Sequence, residues 1–282
     1  MNHVVTSVPR ILCVILGLLV SCNGRQQLDS AANRNGGGFP GTGGTTSMPI
    51  TNQVIIGGTS ALVSTTTKFE CGPNISDLED GTGRICEDSL RRGVWYAISD
   101  EFCTISPPLQ NPGAPALPEL LPTPRGASRM AMHFSIESCD YSTVIDPMLD
   151  VWGSGLGLDL NLDTTNNTYG LFDASEYKGL SFWAKGHESD ELRVRVSTSD
   201  STLVNYGGTC EYEPCRPFEG NITLTGEWSF YEIRFEDITN SWTHPDPAVW
   251  IKELTNLQFL PEEVWFDESL TYEFWIDDVR FF

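Results

Sequence analysis

Hydrophobic and polar residues alternate along much of the chain, in short stretches separated by turn residues. The stretch 192–196 reads Leu-Arg-Val-Arg-Val, and 130–134 alternates in the same way. This period is typical of strands with one buried face, and no stretch shows the period of a convincing amphipathic helix. The pattern predicts a strand and turn at 74–81 and strands at 93–100, 127–136, 152–160, 177–186, 192–200, 221–224, 228–235, 254–260 and 272–282.

Strands that recur at short intervals indicate an all-β fold, an antiparallel β-sandwich or barrel. Seven prolines fall between 104 and 126. Because proline cannot donate to a sheet ladder, this segment is predicted to be a long irregular loop. The glycines at alternate positions of 152–160 are predicted to let a backbone or an aromatic ring approach closely.

The last predicted strand carries two adjacent carboxylates, Asp277 and Asp278, between bulky apolar neighbours. Adjacent side chains of a strand point to opposite faces, so one of the two must point into an apolar layer or to its edge. An ionised carboxylate there needs hydrogen bonds, an ion pair or a bound cation. The pair therefore predicts either a carboxylate capped by backbone N–H groups at the sheet edge or a metal ligand that ties this strand to an earlier segment.

The first residues have the pattern of an exported protein. A polar start with Arg10 precedes the apolar run 11–20, which is too short to span a bilayer. Leu-Val-Ser before Cys22 resembles a bacterial lipobox, which implies a signal peptide at 1–21 and lipidation of Cys22. Ordinary secretion with Cys22 unmodified is the alternative. An aspartate directly after the lipidated cysteine resembles an inner-membrane retention signal. The residue at that position is Asn23, so an outer-membrane or surface location is favoured.

Composition separates a tether from a domain. Residues 22–66 are rich in Gly, Ser, Thr and Asn and are predicted to form a flexible tether, whereas 67–282 has the size of one all-β domain. The formal net charge is −21. This charge argues against nucleic acid and against docking on anionic lipid, so contact with a bilayer is expected only through the acyl anchor. It is compatible with bound divalent cations.

The cysteines predict disulfides. Of eight, Cys13 leaves with the signal and Cys22 takes the lipid, which leaves an even number in an exported domain. Cys210 and Cys215 close a short loop and form the best single pair. Cys71–Cys86 and Cys103–Cys139 would complete the set, although six cysteines allow fifteen pairings. A zinc site is disfavoured because the chain has no Cys-x-x-Cys and few histidines.

The candidate binding residues centre on two arginines. Arg193 and Arg195 share the strand face opposite Leu192, Val194 and Val196, and Gln258 is expected on the same face. An exposed face paired with local carboxylates explains the arginines about equally well. The further candidates lie in neighbouring loops: Asp200, Tyr206, Tyr212 and Trp152.

The tryptophans divide by position. Trp95, Trp183, Trp228 and Trp275 lie in predicted strands and are assigned to the core, whereas Trp152, Trp242, Trp250 and Trp265 lie nearer loops and are candidates for stacking on a ligand. No Gly-x-Ser-x-Gly, His-Glu-x-x-His or phosphate-cradling loop occurs, and no carboxylate pair stands out by its spacing. His133 is expected to be a hydrogen-bonded sheet histidine. The chain is therefore expected to bind rather than to catalyse.

Six motifs in one order carry a resemblance to a known family. They are Ile-Ser-Asp-Leu-Glu-Asp-Gly at 75–81, Gly-Val-Trp-Tyr-Ala-Ile-Ser-Asp at 93–100, Trp-Gly-Ser-Gly-Leu-Gly at 152–157, Phe-Asp-Ala-Ser-Glu-Tyr-Lys-Gly-Leu-Ser-Phe-Trp-Ala-Lys-Gly at 172–186, Gly-Gly-Thr-Cys at 207–210 and Phe-Trp-Ile-Asp-Asp-Val at 274–279. Together they resemble the galactose-binding-like jelly-roll domains, above all carbohydrate-binding module family 11 and its lipoprotein relatives. The extra cysteines and the proline-rich segment depart from that pattern.

The resemblance implies a fold, a ligand and a metal. It implies a jelly-roll β-sandwich that is not an enzyme and that holds a polysaccharide such as a β-glucan on a concave sheet face. In such domains a structural calcium ion joins the first strand to the last, and the matching residues are Glu79, Asp277 and Asp278. A hydrogen-bonded carboxylate without an ion is the alternative.

These observations lead to one hypothesis and two alternatives. We expect a monomeric, non-catalytic carbohydrate-binding lipoprotein. A structural or adhesion lipoprotein that contacts protein or the cell wall is the second hypothesis, and a glycoside hydrolase is the third.

Overall fold

Strands whose residues alternate between buried and exposed pair into two large antiparallel sheets in the computed structural model. The structure describes residues 71–99, 102–111, 114–140, 153–211, 215–240, 246–261 and 271–282, which all belong to a unit that begins at Ser64. The strands are β1 (Asn74–Ser76), β2 (Trp95–Ser99), β3 (Cys103–Ser106), β4 (Glu119–Arg125), β5 (Ser128–Cys139), β6 (Ser154–Asp159), β7 (Leu162–Asp163), β8 (Thr168–Tyr169), β9 (Gly179–Gly186), β10 (Glu191–Thr198), β11 (Phe218–Thr223), β12 (Ser229–Arg234), β13 (Leu254–Pro261) and β14 (Tyr272–Phe281).

Two large sheets face each other. Sheet I has seven strands in the order β12-β9-β14-β5-β3, with β1 paired to β14 and β4 paired to β5. Sheet II has five strands in the order β11-β10-β13-β6-β2, and β7 and β8 form a small separate hairpin. All of these strand pairs are antiparallel. The predicted antiparallel β-sandwich is therefore confirmed.

The core lies between the inner faces of the two sheets. In β10 the residues Leu192, Val194 and Val196 are fully buried, as their alternation predicts. The ring of Phe182 on sheet I meets that of Phe259 on sheet II edge-on, with centroids 5.2 Å apart. This contact buries apolar ring surface between the two sheets. The unfolded chain exposes that surface to water, so its burial stabilises the fold.

The proline-rich segment differs from its prediction as an irregular loop. It contains β4, which includes Pro122 and Pro124 and, among the described strands, pairs only with β5. Proline is tolerated there because an edge strand leaves some of its N–H positions without a ladder partner. The register also shifts between Leu120 and Arg125, which accommodates the prolines.

Helical structure is scarce in the described residues. One α-helix, α1 (Pro247–Trp250), begins after Asp246, whose side chain accepts a hydrogen bond from the N–H of Ala248. Proline at its first position lacks an N–H that the helix would leave unpaired in any case. No helix among the described residues is long and apolar enough to cross a membrane.

All three predicted disulfides are confirmed. Cys71–Cys86 closes the N-terminal loop, Cys103–Cys139 joins β3 to the end of β5, and Cys210–Cys215 closes the loop between β10 and β11. The predicted lipidation site at Cys22 and the predicted tether at 22–66 lie outside the described residues.

Candidate functional site

The outer face of sheet II carries a row of polar and aromatic residues. Because Leu192, Val194 and Val196 point into the core, Arg193 and Arg195 point outward, and each side chain is 18% exposed. The two arginines thus lie on one strand face, as predicted. Whether they bind a ligand stays a prediction.

Strand register places a set of residues from all five strands in one line. Arg195 lies opposite Gln258 on one side and opposite Glu219 on the other. Gln258 lies opposite Gly157, which in turn lies opposite Tyr96. We call this line the central row: Glu219, Arg195, Gln258, Gly157 and Tyr96.

The absence of a side chain at Gly157 makes room for the ring of Tyr96. A Cβ atom on Gly157 would lie 2.4 Å from the Tyr96 Cζ atom and 2.7 Å from its hydroxyl oxygen. The ring therefore lies over the glycine on the outer face of the sheet. The predicted close approach of an aromatic ring to a glycine of this strand is confirmed.

Glu219 organises the two arginines. The Nε atom of Arg195 donates to Glu219 Oε1 at 2.5 Å, and Arg193 Nη1 lies 3.8 Å from Glu219 Oε2. Burial lowers the pKa of Arg195 from its ordinary value, and Glu219 opposes that effect. The guanidinium is therefore a desolvated donor held in a fixed direction by its carboxylate partner.

Two buried polar atoms flank the central row. Arg193 Nε and Asn256 Oδ1 have no hydrogen-bond partner within the described parts of the chain, and Asn256 is only 6% exposed. On β10, Arg193 and Ser197 each lie two positions from Arg195, one on either side of it. Asn256 of β13 lies opposite Ser197. Most buried polar groups in proteins are satisfied, so a donor and an acceptor left unpaired on one face require an explanation.

The loop after β10 holds two more predicted binding residues. Asp200 accepts a hydrogen bond from Thr209 Oγ1 at 2.7 Å, and Tyr206 ends a 3₁₀ turn. Thr202 in this loop bonds to Thr255 of β13 at 3.0 Å. The loop is thus anchored to β13 at the end of sheet II where Ser197 and Asn256 pair, beyond the central row. Tyr212 and Trp152 lie outside the described residues.

Sequence reasoning missed Tyr96, Glu219 and Asn256. The alternation of 93–100 offered a signal for Tyr96, since its neighbour Trp95 is buried in the core. The sequence allowed for a carboxylate beside the arginines but did not identify Glu219, because its relation to them depends on the pairing of β11 with β10. The position of Asn256 also depends on strand register.

The structure corrects most of the tryptophan assignments that can be checked. Trp183, Trp228 and Trp275, predicted to lie in the core, are only partly buried, and Trp183 and Trp275 are on the outer face of sheet I. Trp250, predicted as a loop residue for stacking, is buried with its ring centroid 4.3 Å from that of Phe218. Alternation tells which residues share a strand face but not which face is covered. Trp95 is in the core as predicted, and Trp242 and Trp265 lie outside the described residues.

His133 also lies on the outer face of sheet I. Its ring stacks on Trp275 with centroids 4.0 Å apart. Its two nitrogens contact carboxylate oxygens of Glu119 at 3.1 Å and Glu273 at 3.0 Å. The prediction of a hydrogen-bonded sheet histidine is confirmed.

The predicted calcium ligands meet protein groups in the structure. Arg125 Nη2 lies 2.6 Å from Asp277 Oδ2 and 2.6 Å from Asp278 Oδ2. Glu79 Oε1 accepts from the N–H groups of Arg129 at 2.8 Å and Met130 at 3.2 Å. No group of three or more His, Cys, Asp or Glu among the described residues could hold an ion. Since calcium takes six to eight oxygen ligands, these residues as arranged do not fit it, and calcium stays a prediction.

Comparison with known proteins gives matches among solved structures only. No family model matches the sequence, and no curated protein matches it. The structure is similar to the family 11 carbohydrate-binding module of a cellulosomal cellulase of Clostridium thermocellum, at 14% identity and a TM-score of 0.42, over 74% of this chain and 94% of that one. It is also similar to the family 30 module of another cellulosomal cellulase of that organism, at 14% identity and a TM-score of 0.39, over 71% of this chain and 96% of that one.

A third solved structure includes a ligand. It is a family 11 module from Clostridium thermocellum in complex with a β-1,3-1,4-mixed-linked tetrasaccharide, at 13% identity and a TM-score of 0.41, over 74% of this chain and 94% of that one. Family 11 modules, which the six motifs resemble, are therefore among the solved structures that match this chain.

Proposed function

We propose that this protein binds a polysaccharide without cleaving it, on the outer face of sheet II. The observation that carries the proposal is the line of part-exposed groups on that face, in which the ring of Tyr96, the amide of Gln258 and the guanidinium of Arg195 lie side by side. A sugar hydroxyl both donates and accepts hydrogen bonds. Successive hydroxyls of one glycan chain could therefore pair with the exposed part of each arginine side chain, which is 18%, and with the half-buried amide of Gln258.

The charges on this face favour a neutral glycan. Both arginines lie near the same carboxylate, Glu219, so neither offers an unpaired positive charge to an acidic sugar. What they offer is N–H donors in fixed directions, and Gln258 adds an amide that both donates and accepts. We infer that the ligand is a neutral polysaccharide such as a β-glucan.

Tyr96 supplies the apolar part of the site. Pyranose rings have apolar faces that stack on aromatic side chains, and specificity comes from a few fixed polar groups beside them. Tyr96 lies at one end of the central row and Arg195 near the other, with Gln258 between them. This is a ring platform followed by hydrogen-bonding groups, which is an arrangement for binding rather than the two flanking carboxylates of a glycoside hydrolase.

The first residues of the chain bear on where the protein is located. We propose that the chain is an exported lipoprotein anchored through Cys22 at an outer membrane or cell surface, because its first residues combine an apolar run with a lipobox-like end. The predicted tether at 22–66 would let the domain reach polysaccharide away from the membrane. Metabolic labelling with a clickable fatty acid tests this. We expect label on the wild-type chain and none on a Cys22→Ala variant.

Affinity electrophoresis of the full chain tests the binding function. We expect retarded migration in gels that contain soluble mixed-linkage β-glucan and normal migration in gels without it. Gels with β-1,4-galactan and with polygalacturonate test the sugar type and the inferred preference for neutral glycans. Normal migration on every glycan of a broad panel would contradict the proposal and favour a protein or cell-wall contact. Release of reducing sugar would instead indicate a hydrolase.

Filling the space at Gly157 is expected to weaken binding. The Cβ of Gly157→Ala would displace the Tyr96 ring, so we expect a roughly three- to tenfold loss of β-glucan affinity, comparable to that of Tyr96→Ala. Isothermal titration measures this loss. Gly226→Ala is the matched control, because a Cβ there meets nothing within 4 Å. An unchanged affinity in folded Gly157→Ala would remove Tyr96 from the proposed site.

A further inference from the structure

One arginine at the end of β4 contacts both adjacent carboxylates of β14, in addition to the backbone pairing of β5 with β14. Arg125 is the final residue of β4, and its Nη2 atom lies 2.6 Å from a carboxylate oxygen of each of Asp277 and Asp278. Asp277 is completely buried and the Arg125 side chain is 14% exposed. A buried carboxylate of this kind is unstable as an ion unless a cation and hydrogen bonds compensate it.

Other groups hold the Arg125 guanidinium in place. Its central carbon lies 4.5 Å from the ring centroid of Trp183 and 5.6 Å from that of Trp228, within the range of cation–π attraction. Ser128 Oγ donates to the same Asp277 oxygen at 2.6 Å. Burial raises the pKa of Asp277, and Ser128 and Arg125 oppose that effect.

The remaining predicted calcium ligand is also bound by the protein. Glu79 accepts two backbone N–H groups at the start of β5, and Asp278 Oδ1 accepts a hydrogen bond from Arg280. A calcium ion placed between these carboxylates would lie beside a guanidinium that already contacts two of them. Two cations that share the same carboxylates repel each other, and the repulsion is strongest beside the buried Asp277.

We propose that Arg125 takes the place of a structural calcium ion in this protein. The guanidinium is a cation built into the chain, and it adds an ion-paired contact between the end of β4 and Asp277 and Asp278 of β14. The folded domain therefore does not depend on divalent metal. The proposal also predicts that removing the arginine leaves a cluster of carboxylates without a cation, which calcium can then partly stabilise.

Thermal unfolding of the full chain with excess EDTA or with millimolar CaCl2 tests this inference. We expect the same Tm for the wild type in both conditions and no heat when calcium alone is titrated into it. Arg125→Ala should melt roughly 5–10 °C lower in EDTA and regain part of that loss in calcium. A wild-type Tm that falls in EDTA and recovers in calcium would overturn the proposal. So would an Arg125→Ala variant that does not respond to calcium.

Further variants keep the test decisive if Arg125→Ala fails to fold. Arg125→Lys keeps a positive charge, so we expect a smaller loss of Tm and no response to EDTA. In the double variant Arg125→Ala/Asp277→Asn the uncompensated charge is gone, and we expect a higher Tm than in Arg125→Ala alone in EDTA. Arg84→Ala is the matched control, since its ion pair with Glu87 is half exposed. A double variant no more stable than the single one would contradict the proposed charge compensation.

Discussion

Replacing Arg195 with alanine is expected to reduce the affinity for β-glucan about 10- to 100-fold. This range corresponds to the loss of one hydrogen bond from a charged donor, about 1.5–3 kcal/mol. The side chain lies at the middle of the outer face of sheet II, opposite Gln258 and bonded to Glu219. Isothermal titration with a soluble mixed-linkage β-glucan measures the change. Arg193 remains near Glu219 in this variant, so the carboxylate keeps a cationic neighbour.

The control for this experiment is Arg234→Ala. Arg234 is an exposed arginine of β12 on sheet I, ion-paired with Glu236, and its removal should leave both affinity and Tm almost unchanged. If Arg195→Ala is folded and binds with wild-type affinity, the binding face is not the outer face of sheet II. A double variant Arg195→Ala/Tyr206→Ala with unchanged binding would also exclude the loop after β10.

Phe259→Ala is expected to cost about 3–5 kcal/mol of folding free energy, the range for large-to-small changes of an aromatic core residue. Phe259 is fully buried on β13, where its ring packs against Trp95 with centroids 5.9 Å apart and edge-on against Phe182 of the opposite sheet. The truncation therefore leaves a cavity between the two layers. Denaturant unfolding followed by tryptophan fluorescence measures the loss.

Phe230→Ala provides the comparison with the same chemical change. Phe230 is 52% exposed on β12 and touches Trp183 with ring centroids 5.5 Å apart. We expect a cost of about 1 kcal/mol or less, since little apolar surface returns to water. Equal costs for the two variants would contradict the position of Phe259 at the centre of the core.

Local patterns in the sequence account for much of the fold. The alternation of Leu192 to Val196 predicted a strand with two arginines on one face, and the structure has both features. This succeeds because strand geometry has a period of two wherever one face is covered by a core. The proline-rich segment was the main error in secondary structure. Proline excludes a central strand, but it does not exclude an edge strand such as β4.

Contacts between distant segments could not be predicted in the same way. The line from Tyr96 to Glu219 crosses five strands, and each step depends on a register between strands far apart in sequence. The contact of Arg125 with Asp277 and Asp278 likewise joins two segments separated by about 150 positions. Neither the alternation of one strand nor the residue types within it contain that information.

The sequence by itself determined the all-β class and the outward direction of Arg193 and Arg195, because these depend on alternation. Cysteine spacing left fifteen pairings open, and the structure shows the three that form. Only the tertiary structure decided which face of each sheet is exposed to solvent at each position and which is covered. It placed Trp183 and Trp275 on an outer face and Trp250 inside. It also brought Arg125 into contact with Asp277 and Asp278. The physical reason is that burial and charge pairing are set by the strands that lie next to each other, and sheet order is a property of the whole chain.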